Sequence, residues 1–367
     1  MPLKEYNLKL DINKILNNIT NKDNQYTIPI FIPHLGCNNE CVFCNQRKIT
    51  GIDTSVTVDD VDNIINEHLD YFKNNKNNKK IEIAFFGGSF TGIPTKLQEN
   101  YLKIANKYIE EGKVDSIRLS TRPDYINEEI IELLKRNKVT TIELGVQSFD
   151  SEVLVKSKRG HTRESIFKAA DIIKKAGIDL GIQLMPGLPG SDFFKEIEDT
   201  KLCIKIKPSQ VRIYPTIVIS KTELEEMYNK GLYKPLTIEE AIDISVFMTS
   251  MFELNGINII RTGLAPSDEL RSDGNIVSGP FHPAFKELVE GEIIYKFLKE
   301  ILDDNKENII YVCEQDVSRV VGIGKSNLKK LQNKNITVKI NRDLQRGLIM
   351  TEKKVYCREE ILKNIIK

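Results

Sequence analysis

The feature that most constrains the fold of this 367-residue chain is a repeated alternation of short apolar runs and helical stretches. The apolar runs, rich in Ile, Val, Leu and Phe, lie at residues 27–33, 81–86, 116–121, 141–146, 179–185 and 210–218. Helical periodicity covers about 58–74, 96–111, 127–137, 162–176 and 192–206, and a helix at about 238–254 precedes a seventh run at 257–261. The alternation predicts an α/β fold of parallel β/α units, which is a partial or complete barrel, with an open doubly wound sheet as the alternative.

Polar and special residues follow each predicted strand at its carboxyl end. They are His34 with the cysteines after it, Gly87-Gly88-Ser89, Thr121-Arg122-Pro123, Gln147-Ser148, Pro186-Gly187 and Tyr214-Pro215. In β/α barrels the active site lies at the carboxyl ends of the strands. The sequence therefore predicts a functional site built from these loops.

The domain organisation follows from where this alternation begins and ends. Residues 1–25 are expected to form a short helix and a polar linker, and residues 26–264 form the barrel. Residues 265–367 begin with a loop and then carry a helix at 284–302, a strand at 308–313, a helix at 316–332 and strands at 336–341 and 347–356. We expect this last region to be a small α/β appendage.

Charge is unevenly distributed although the whole chain has a formal net charge of only +1. Residues 265–318 contain 5 basic and 12 acidic side chains, whereas residues 319–367 contain 13 basic and 4 acidic ones. The basic end is consistent with contact to an RNA backbone or with a Lys-rich solvated face. The sequence has no apolar run that would span a bilayer and no signal-peptide pattern, so a cytoplasmic location is expected.

Three of the six cysteines, Cys37, Cys41 and Cys44, lie within eight residues after the first predicted strand. Their number is odd and the chain is poor in cysteine, so a structural disulfide is a weak interpretation. Three thiolates on one loop suit a [4Fe–4S] cluster with one iron left open, or a zinc ion with His34 as fourth ligand. Phe43 favours the cluster, because such sites are shielded from water. Cys203, Cys313 and Cys357 fall in helix or strand patterns and are expected to be buried.

The string Cys37-x3-Cys41-Val-Phe-Cys44 resembles the CxxxCxφC signature of the radical S-adenosylmethionine (SAM) superfamily. The resemblance implies a β/α barrel in which the three cysteines bind a [4Fe–4S] cluster and the open iron binds SAM. It also implies an external electron donor and cleavage of SAM to a 5′-deoxyadenosyl radical. Gly87-Gly88-Ser89 stands where the family has its GGE motif, with Ser in the third position.

Further strings narrow the resemblance to the radical domain of the Elongator catalytic-subunit family, which modifies the wobble uridine of tRNA. They are Leu119–Tyr125 (LSTRPDY), Glu143–Ser148 (ELGVQS), Lys158–Thr162 (KRGHT), Gln183–Pro189 (QLMPGLP) and Arg212–Thr216 (RIYPT), within about residues 26–262. Oxygen-independent coproporphyrinogen III oxidases have a similar GVQSF string, but the TRPDY and RIYPT strings resemble the Elongator family. A radical enzyme acting on a small molecule such as a tetrapyrrole is therefore the alternative within the enzymes.

We predict roles for the residues at the strand ends. Glu143, placed at the end of the fourth strand, and Gln147 suit ribose hydroxyls. Arg122 suits a carboxylate or a phosphate. The predicted cofactor-binding set is Phe43, Gly87, Gly88, Ser89, Arg122, Glu143, Gln147, Gln183, Met185 and Arg212, where Gln183 and Met185 line an adenine pocket. Arg212 and Tyr214 share one face of the sixth strand and can face substrate. Tyr214 and His161 are the catalytic candidates, His161 as a phosphate contact or proton relay, or alternatively as a solvated loop residue.

After residue 264 the chain departs from the Elongator pattern, because no acetyl-CoA-binding loop is found among the remaining residues. The resemblance thus implies a radical SAM enzyme with an RNA substrate, for which tRNA is favoured, and a separate acetyltransferase partner. A different class of function is a zinc-stabilised RNA-binding module without catalysis. The oligomeric state is not predicted.

Overall fold

The computed structural model describes residues 25–32, 36–37, 41–45, 56–73, 79–264, 274–304 and 306–367. The predicted N-terminal helix and linker lie outside the described residues, and so does His34. The boundaries predicted at residues 25 and 264 stay predictions. No helix in the described part of the chain is both long enough and apolar enough to cross a membrane.

The larger sheet confirms the predicted parallel β/α architecture. Its strands are β1 (Gln25–Ile32), β2 (Lys80–Gly87), β3 (Ser116–Thr121), β4 (Val139–Gln147), β5 (Asp179–Leu184), β6 (Gln210–Ile213) and, after the short β7 (Val218–Ile219), β8 (Asn258–Thr262). All seven strands of this sheet are parallel and are ordered as in the chain, β1-β2-β3-β4-β5-β6-β8. A doubly wound sheet reverses its strand order, so this order excludes that alternative. The sheet curls into a half-barrel with β1 and β8 as its edges.

Six helices that cover the sheet begin and end close to the predicted positions, and two short ones, at residues 151–156 and 223–229, were not predicted. They are α1 (Val58–Lys73), α2 (Thr95–Glu110), α3 (Glu128–Arg136), α4 (Ser151–Lys156), α5 (Arg163–Lys175), α6 (Phe193–Ile206), α7 (Glu223–Asn229) and α8 (Ile238–Leu254). Local capping explains the agreement, because side chains at the N-cap positions accept backbone N–H bonds. Thr162 and Ser165 form a capping box at the start of α5, and Asn127 caps α3.

The strands of the half-barrel have one apolar face, and on several of them the other face carries charged or polar side chains. The apolar face, with fully buried residues such as Ile30, Phe85 and Leu119, packs against the helices as the main hydrophobic core. Because side chains alternate along a strand, the residues between them point to the opposite, concave face. Arg118, Glu143 and Arg212 occupy that concave face. The inner wall of the half-barrel is therefore charged.

The predicted strand at residues 210–218 is wrong in its second half. β6 ends at Ile213, and Val218–Ile219 instead forms β7, which pairs antiparallel with β9 (Ile276–Ser278). Pro215 lies between the two strands and has no N–H to donate to a ladder, so the run cannot continue as one strand.

The C-terminal region forms a small α/β unit packed against α8. Its elements are α9 (Phe285–Ile301), β10 (Asn308–Val312), α10 (Val317–Val321), α11 (Ser326–Lys330), β11 (Ile336–Ile340), β12 (Ile349–Thr351), β13 (Val355–Tyr356) and α12 (Arg358–Ile365). The strands form a separate sheet in the order β11-β10-β12-β13. Ala241 and Val246 of α8 share a hydrophobic core with Phe297, Ile310 and Leu362. The unit is thus attached to the barrel by a continuous apolar interface.

Two predictions for this region are wrong. The helix expected at 316–332 is interrupted, because Gly322 and Gly324 adopt φ values of +77° and +60° that end α10 before α11 begins. The strand expected at 347–356 is a hairpin of β12 and β13. Helix α12 was not predicted, although Glu360 forms a capping box with Cys357 at its start.

The acidic and basic C-terminal segments largely neutralise each other. Lys330 pairs with Glu292, Lys334 with Asp304, and Lys353 with Asp303, at N···O distances between 2.8 and 2.9 Å. Two arginines of the basic segment also pair with acids of the acidic segment. Arg319 pairs with Asp316 and Glu290, and Arg358 pairs with Glu290. Much of the basic charge is therefore used inside the unit, and Lys325, Lys329, Lys339 and Arg342 have no ion pair among the described residues.

Candidate active site

The cysteine loop is held in place by main-chain contacts from two other parts of the chain. The Val42 amide donates to the Ser157 carbonyl at 3.3 Å, and the Leu224 amide donates to the Val42 carbonyl at 2.7 Å. The side-chain amide of Asn45 donates to the Ser220 carbonyl at 3.0 Å. These bonds fix the loop between the end of α4 and the start of α7 and place it at the carboxyl ends of the strands.

The described thiols have polar neighbours on one side and apolar neighbours on the other. The Cys37 thiol lies 3.5 Å from the Ser89 hydroxyl, and the buried Cys41 thiol accepts a hydrogen bond from the Arg159 guanidinium at 2.9 Å. Phe43 is buried and packs with Cys41, Leu188 and Tyr233, with Cys44 and Met185 at the margin of this cluster. Hydrogen bonds to sulfur and an apolar shield suit anionic thiolates that bind an iron–sulfur cluster.

All six cysteines have free thiols, and Cys203, Cys313 and Cys357 are buried as predicted. Within the described residues, no three His, Cys, Asp or Glu side chains lie close enough together to hold a single metal ion.

Two loops meet so closely beside the cysteines that only glycine fits. A Cβ at Gly36 would lie 2.7 Å from the Gly92 carbonyl carbon, and a Cβ at Gly92 would lie 2.7 Å from the Tyr125 ring. Gly87 has φ +99° at the end of β2, and the Gly88 amide donates to the Ile32 carbonyl at 2.9 Å. The glycine pair thus turns the end of β2 as expected. Its predicted contact with a cofactor stays a prediction.

Arg122 is buried and is not an ordinary surface arginine. Its guanidinium binds the Asp124 carboxylate with two hydrogen bonds of 3.0 and 2.9 Å and lies over the Tyr125 ring. The remaining Nη1 is buried and has no hydrogen-bond partner in the described structure. A buried donor without a partner suits an anionic group supplied by a ligand.

Gln147, Gln183 and Met185 lie together at the ends of β4 and β5. The Gln183 amide donates to the Gln147 side-chain oxygen at 3.0 Å, and the Met185 amide donates to the Gln147 carbonyl at 2.9 Å. Gln147 has φ +70°, a left-handed conformation that is uncommon for a residue other than glycine. Such strain is found at functional sites, where the surrounding structure holds it.

The prediction that Glu143 lies at the end of β4 is wrong. Glu143 lies in the middle of that strand. The carboxylate accepts from Arg118 at 2.8 Å and from the Arg212 Nε at 3.1 and 3.0 Å. Arg118 also pairs with Glu82 at 2.6 Å, and burial raises the pKa of Glu82. Glu143 is therefore the centre of a buried ion-pair network across four strands. Its predicted contact with ribose is untested, but two arginines already bind its oxygens.

Arg212 lies in β6, whereas Tyr214 directly follows Ile213, the last residue of that strand, and the two side chains are in contact. The Arg212 Nη1 donates to the Tyr214 hydroxyl at 3.0 Å. The guanidinium groups of Arg212 and Arg118 lie 5.5 and 5.4 Å from the centroid of the Phe86 ring. Tyr214 therefore borders the ion-pair network at the carboxyl ends of the strands.

His161 is buried, so the interpretation as a solvated loop residue is wrong. The ring lies 3.2 Å from the Val146 carbonyl through Nε2, which donates in the neutral Nε2–H tautomer, and Nδ1 is buried without a partner in the described structure. Burial lowers the pKa of His161 to about 3, and the positive charge of Arg159 acts in the same direction. The ring is thus neutral near pH 7 and supports the end of β4.

Arg159 was not predicted as a site residue, although it lies in the string Lys158–Thr162 that carries part of the resemblance. Besides Cys41, its guanidinium binds the Gly145 carbonyl and lies 5.9 Å from the Phe43 ring centroid. Arg118 and Glu82 were also missed. The sequence signal that could have identified them is a charged residue between two apolar residues of a strand, as at Glu82 and Arg118.

Comparison with protein families gives two matches along the chain. The family model of the Radical SAM superfamily matches residues 31–201, and that of the Radical SAM C-terminal domain matches residues 208–295. The second match crosses residue 264, where the sequence predicts a domain boundary.

Curated relatives cover the same part of the chain. The tRNA uridine(34) acetyltransferase of Methanocaldococcus jannaschii is 33% identical over 244 residues, which are 60% of this chain and 42% of that protein. An uncharacterized protein of the same organism is 30% identical over 233 residues, 61% of this chain and 70% of that protein. The chain thus spans less than half the length of the acetyltransferase.

A solved structure has the same fold. The archaeal Methanocaldococcus infernus Elp3 with an N-terminal deletion superposes with a TM-score of 0.58 at 27% identity, covering 76% of this chain and 63% of that chain. The similarity extends over most of the described residues.

Proposed function

Because the chain belongs to the radical SAM superfamily and is homologous to the radical domain of the Elongator catalytic subunit, we propose that it is a radical SAM enzyme that modifies tRNA. The observation that carries the proposal is the arrangement of the cysteine loop. It is fixed at the strand ends with a buried thiol beside a guanidinium and an apolar shield. An enzyme superfamily and this environment argue against a non-catalytic zinc module.

Cys37, Cys41 and Cys44 would hold a [4Fe–4S] cluster whose fourth iron binds SAM. When bound, the cluster and SAM would supply the one-electron cleavage of SAM, and an external donor would provide the electron. The chain itself provides an apolar surround on one part of the site, because Val42, Phe43 and Leu188 are buried in the cluster that contains Cys41 and borders Cys44. Exclusion of water protects reactive intermediates from side reactions.

The residues at the strand ends would bind and orient SAM. Gln147 and Gln183 offer amide groups to the ribose and the adenine, and Met185 offers an apolar contact. The partnerless Nη1 of Arg122 suits a carboxylate. The Ser89 hydroxyl lies beside Cys37, so the turn Gly87-Gly88-Ser89 is close enough to the thiol loop to present backbone groups there.

Arg212 and Tyr214 would face the substrate. Glu143 then has a positioning role, because it holds Arg212, which in turn binds the Tyr214 hydroxyl. This assignment replaces a direct contact between Glu143 and ribose by a contact that acts through another residue.

The tRNA substrate is inferred from relatives whose names include tRNA uridine(34) acetyltransferase. This chain spans less than half of their length, and no acetyl-CoA-binding loop was found in its sequence. Lys325, Lys329, Lys339 and Arg342, which have no ion pair among the described residues, are the available contacts for the RNA backbone.

The modified-nucleoside profile of tRNA from cells lacking the protein tests the proposal. We expect at least one modified nucleoside to disappear, to return with the wild-type gene and to stay absent with Cys41→Ala. Cys203→Ala is the matched control, because Cys203 is a buried cysteine outside the loop and should restore the nucleoside. An unchanged tRNA profile would contradict the tRNA substrate.

A further inference from the structure

Arg159 connects the cysteine loop to the end of β4. Its Nη1 donates to the Cys41 sulfur at 2.9 Å, and its Nη2 donates to the carbonyl of Gly145. The residue is 6% exposed. A buried side chain with hydrogen bonds to two separate elements has a fixed position. The fold therefore holds the Arg159 guanidinium against the Cys41 sulfur.

The end of α4 determines where Arg159 lies. The Arg159 amide donates to the Leu154 carbonyl at 2.9 Å, and the neighbouring Ser157 carbonyl accepts from Val42 at 3.3 Å. The same short turn therefore positions the cysteine loop through its backbone and contacts a thiol through the arginine. Movement of one would move the other.

A guanidinium at this place has a predictable effect on an iron–sulfur cluster. Arginine keeps its charge in proteins, and its N–H groups are strong donors. Reduction adds one electron to the cluster and makes it more negative, without forming or breaking a bond. A fixed positive charge and an N–H···S bond stabilise the reduced form more than the oxidised form and raise the reduction potential.

We propose that Arg159 is a positioning residue for the cluster. Through its hydrogen bond to the Cys41 sulfur, Arg159 raises the reduction potential of the cluster. The external donor supplies the electron. This inference rests on the proposed function, because it requires that the three cysteines bind a [4Fe–4S] cluster. It goes beyond that function in naming how the chain adjusts the energy of the electron-transfer step.

The test is the cluster's midpoint potential, measured by electron paramagnetic resonance during a dye-mediated titration of the full-length, anaerobically reconstituted protein. Iron and sulfide content are measured on the same samples. We expect Arg159→Gln to shift the potential to a lower value at wild-type iron content. Arg159→Lys keeps a charge but not the two-sided contact, so its shift should be smaller and in the same direction.

Lys158→Gln is the matched control. Lys158 is adjacent in sequence and also cationic, but it is half-exposed and pairs with Glu223 at 2.6 Å. Solvent screens its charge, so the potential should stay at the wild-type value.

An unchanged potential in a fully loaded Arg159→Gln variant would overturn the inference. If that variant binds no cluster, the decision passes to Arg159→Lys, where a wild-type potential would overturn it and a lower one would support it. Failure of the wild-type protein itself to bind four irons would instead contradict the proposed function.

Discussion

The guanidinium Nε of Arg212 on β6 donates to both carboxylate oxygens of Glu143 on β4, at 3.1 and 3.0 Å. A second arginine, Arg118, donates to the same carboxylate at 2.8 Å. One buried acid therefore joins three strands of the concave wall and supports the arginine that contacts Tyr214.

Glu143→Gln should destabilise the fold strongly, because it leaves two buried arginines without their shared counter-charge. Removing one partner of a buried ion pair costs about 3–5 kcal/mol. Urea unfolding of the apo protein measures the change. Glu132→Gln on α3 is the control, since Glu132 is exposed and its replacement should change the free energy by less than about 0.5 kcal/mol. Equal stability of the two variants would show that Glu143 does not support the wall.

Gly36→Ala should prevent cluster binding while leaving the barrel folded. The new Cβ would collide with backbone of the loop after β2, at a position where φ is +74°. The loop must then shift, which moves Cys37 away from Ser89. Iron content after reconstitution and the visible absorption of the cluster measure the result.

Gly112→Ala is a well-matched control for Gly36→Ala. Gly112 has a similar φ of +66°, but a Cβ there would meet no atom within 4 Å. It should bind iron like the wild type. A normal iron content in Gly36→Ala would show that the contact between the two loops is not required.

Glu196→Gln should remove part of the pH dependence of stability. Burial raises the pKa of Glu196 to about 8 from an unfolded value near 4.5, while bonds from Ser191 and Gly187 oppose the shift. Between these values the unfolded state binds fewer protons, so the wild type loses stability as pH rises, by up to about 1.4 kcal/mol per pH unit. Unfolding free energies at pH 5, 6.5 and 8 measure the difference. Parallel curves for wild type and variant would be inconsistent with a buried neutral carboxyl.

His161→Gln should act in the opposite pH range. The folded pKa is lowered to about 3, whereas the unfolded imidazole binds a proton below about 6.5. The wild type therefore loses stability relative to the variant as pH falls from 6.5 towards 3. The glutamine amide can still donate to the Val146 carbonyl, which separates the charge effect from loss of the bond. A stability difference that does not vary across this range would argue that His161 titrates normally.

The architecture was predictable because its signals are local. Strand β3 and helix α8 have the bounds that periodicity predicts, since alternation and capping residues such as Thr237 act over a few positions. The errors in element boundaries arise at proline and glycine residues that end a strand or a helix. Pro215 stops β6, and the positive φ of Gly322 stops α10, and both residues were visible in the sequence.

The candidate site was predictable in place but not in its contacts. The carboxyl ends of parallel strands meet at one edge, so Arg122, Gln147 and Tyr214 were expected near one another. Which side chains pair depends on packing between distant segments. Arg159 and Cys41 are 118 positions apart, and Glu143 and Arg212 are 69 apart. One sequence does not reveal pairs of this kind.

The most direct test of the central claim is formation of 5′-deoxyadenosine by the anaerobically reconstituted protein after reduction with dithionite and addition of SAM. We predict that the wild type forms it and that Cys44→Ala, which removes one thiol of the loop, forms none. A wild-type protein that carries four irons but yields no 5′-deoxyadenosine, with or without tRNA, would contradict the assignment as a radical SAM enzyme.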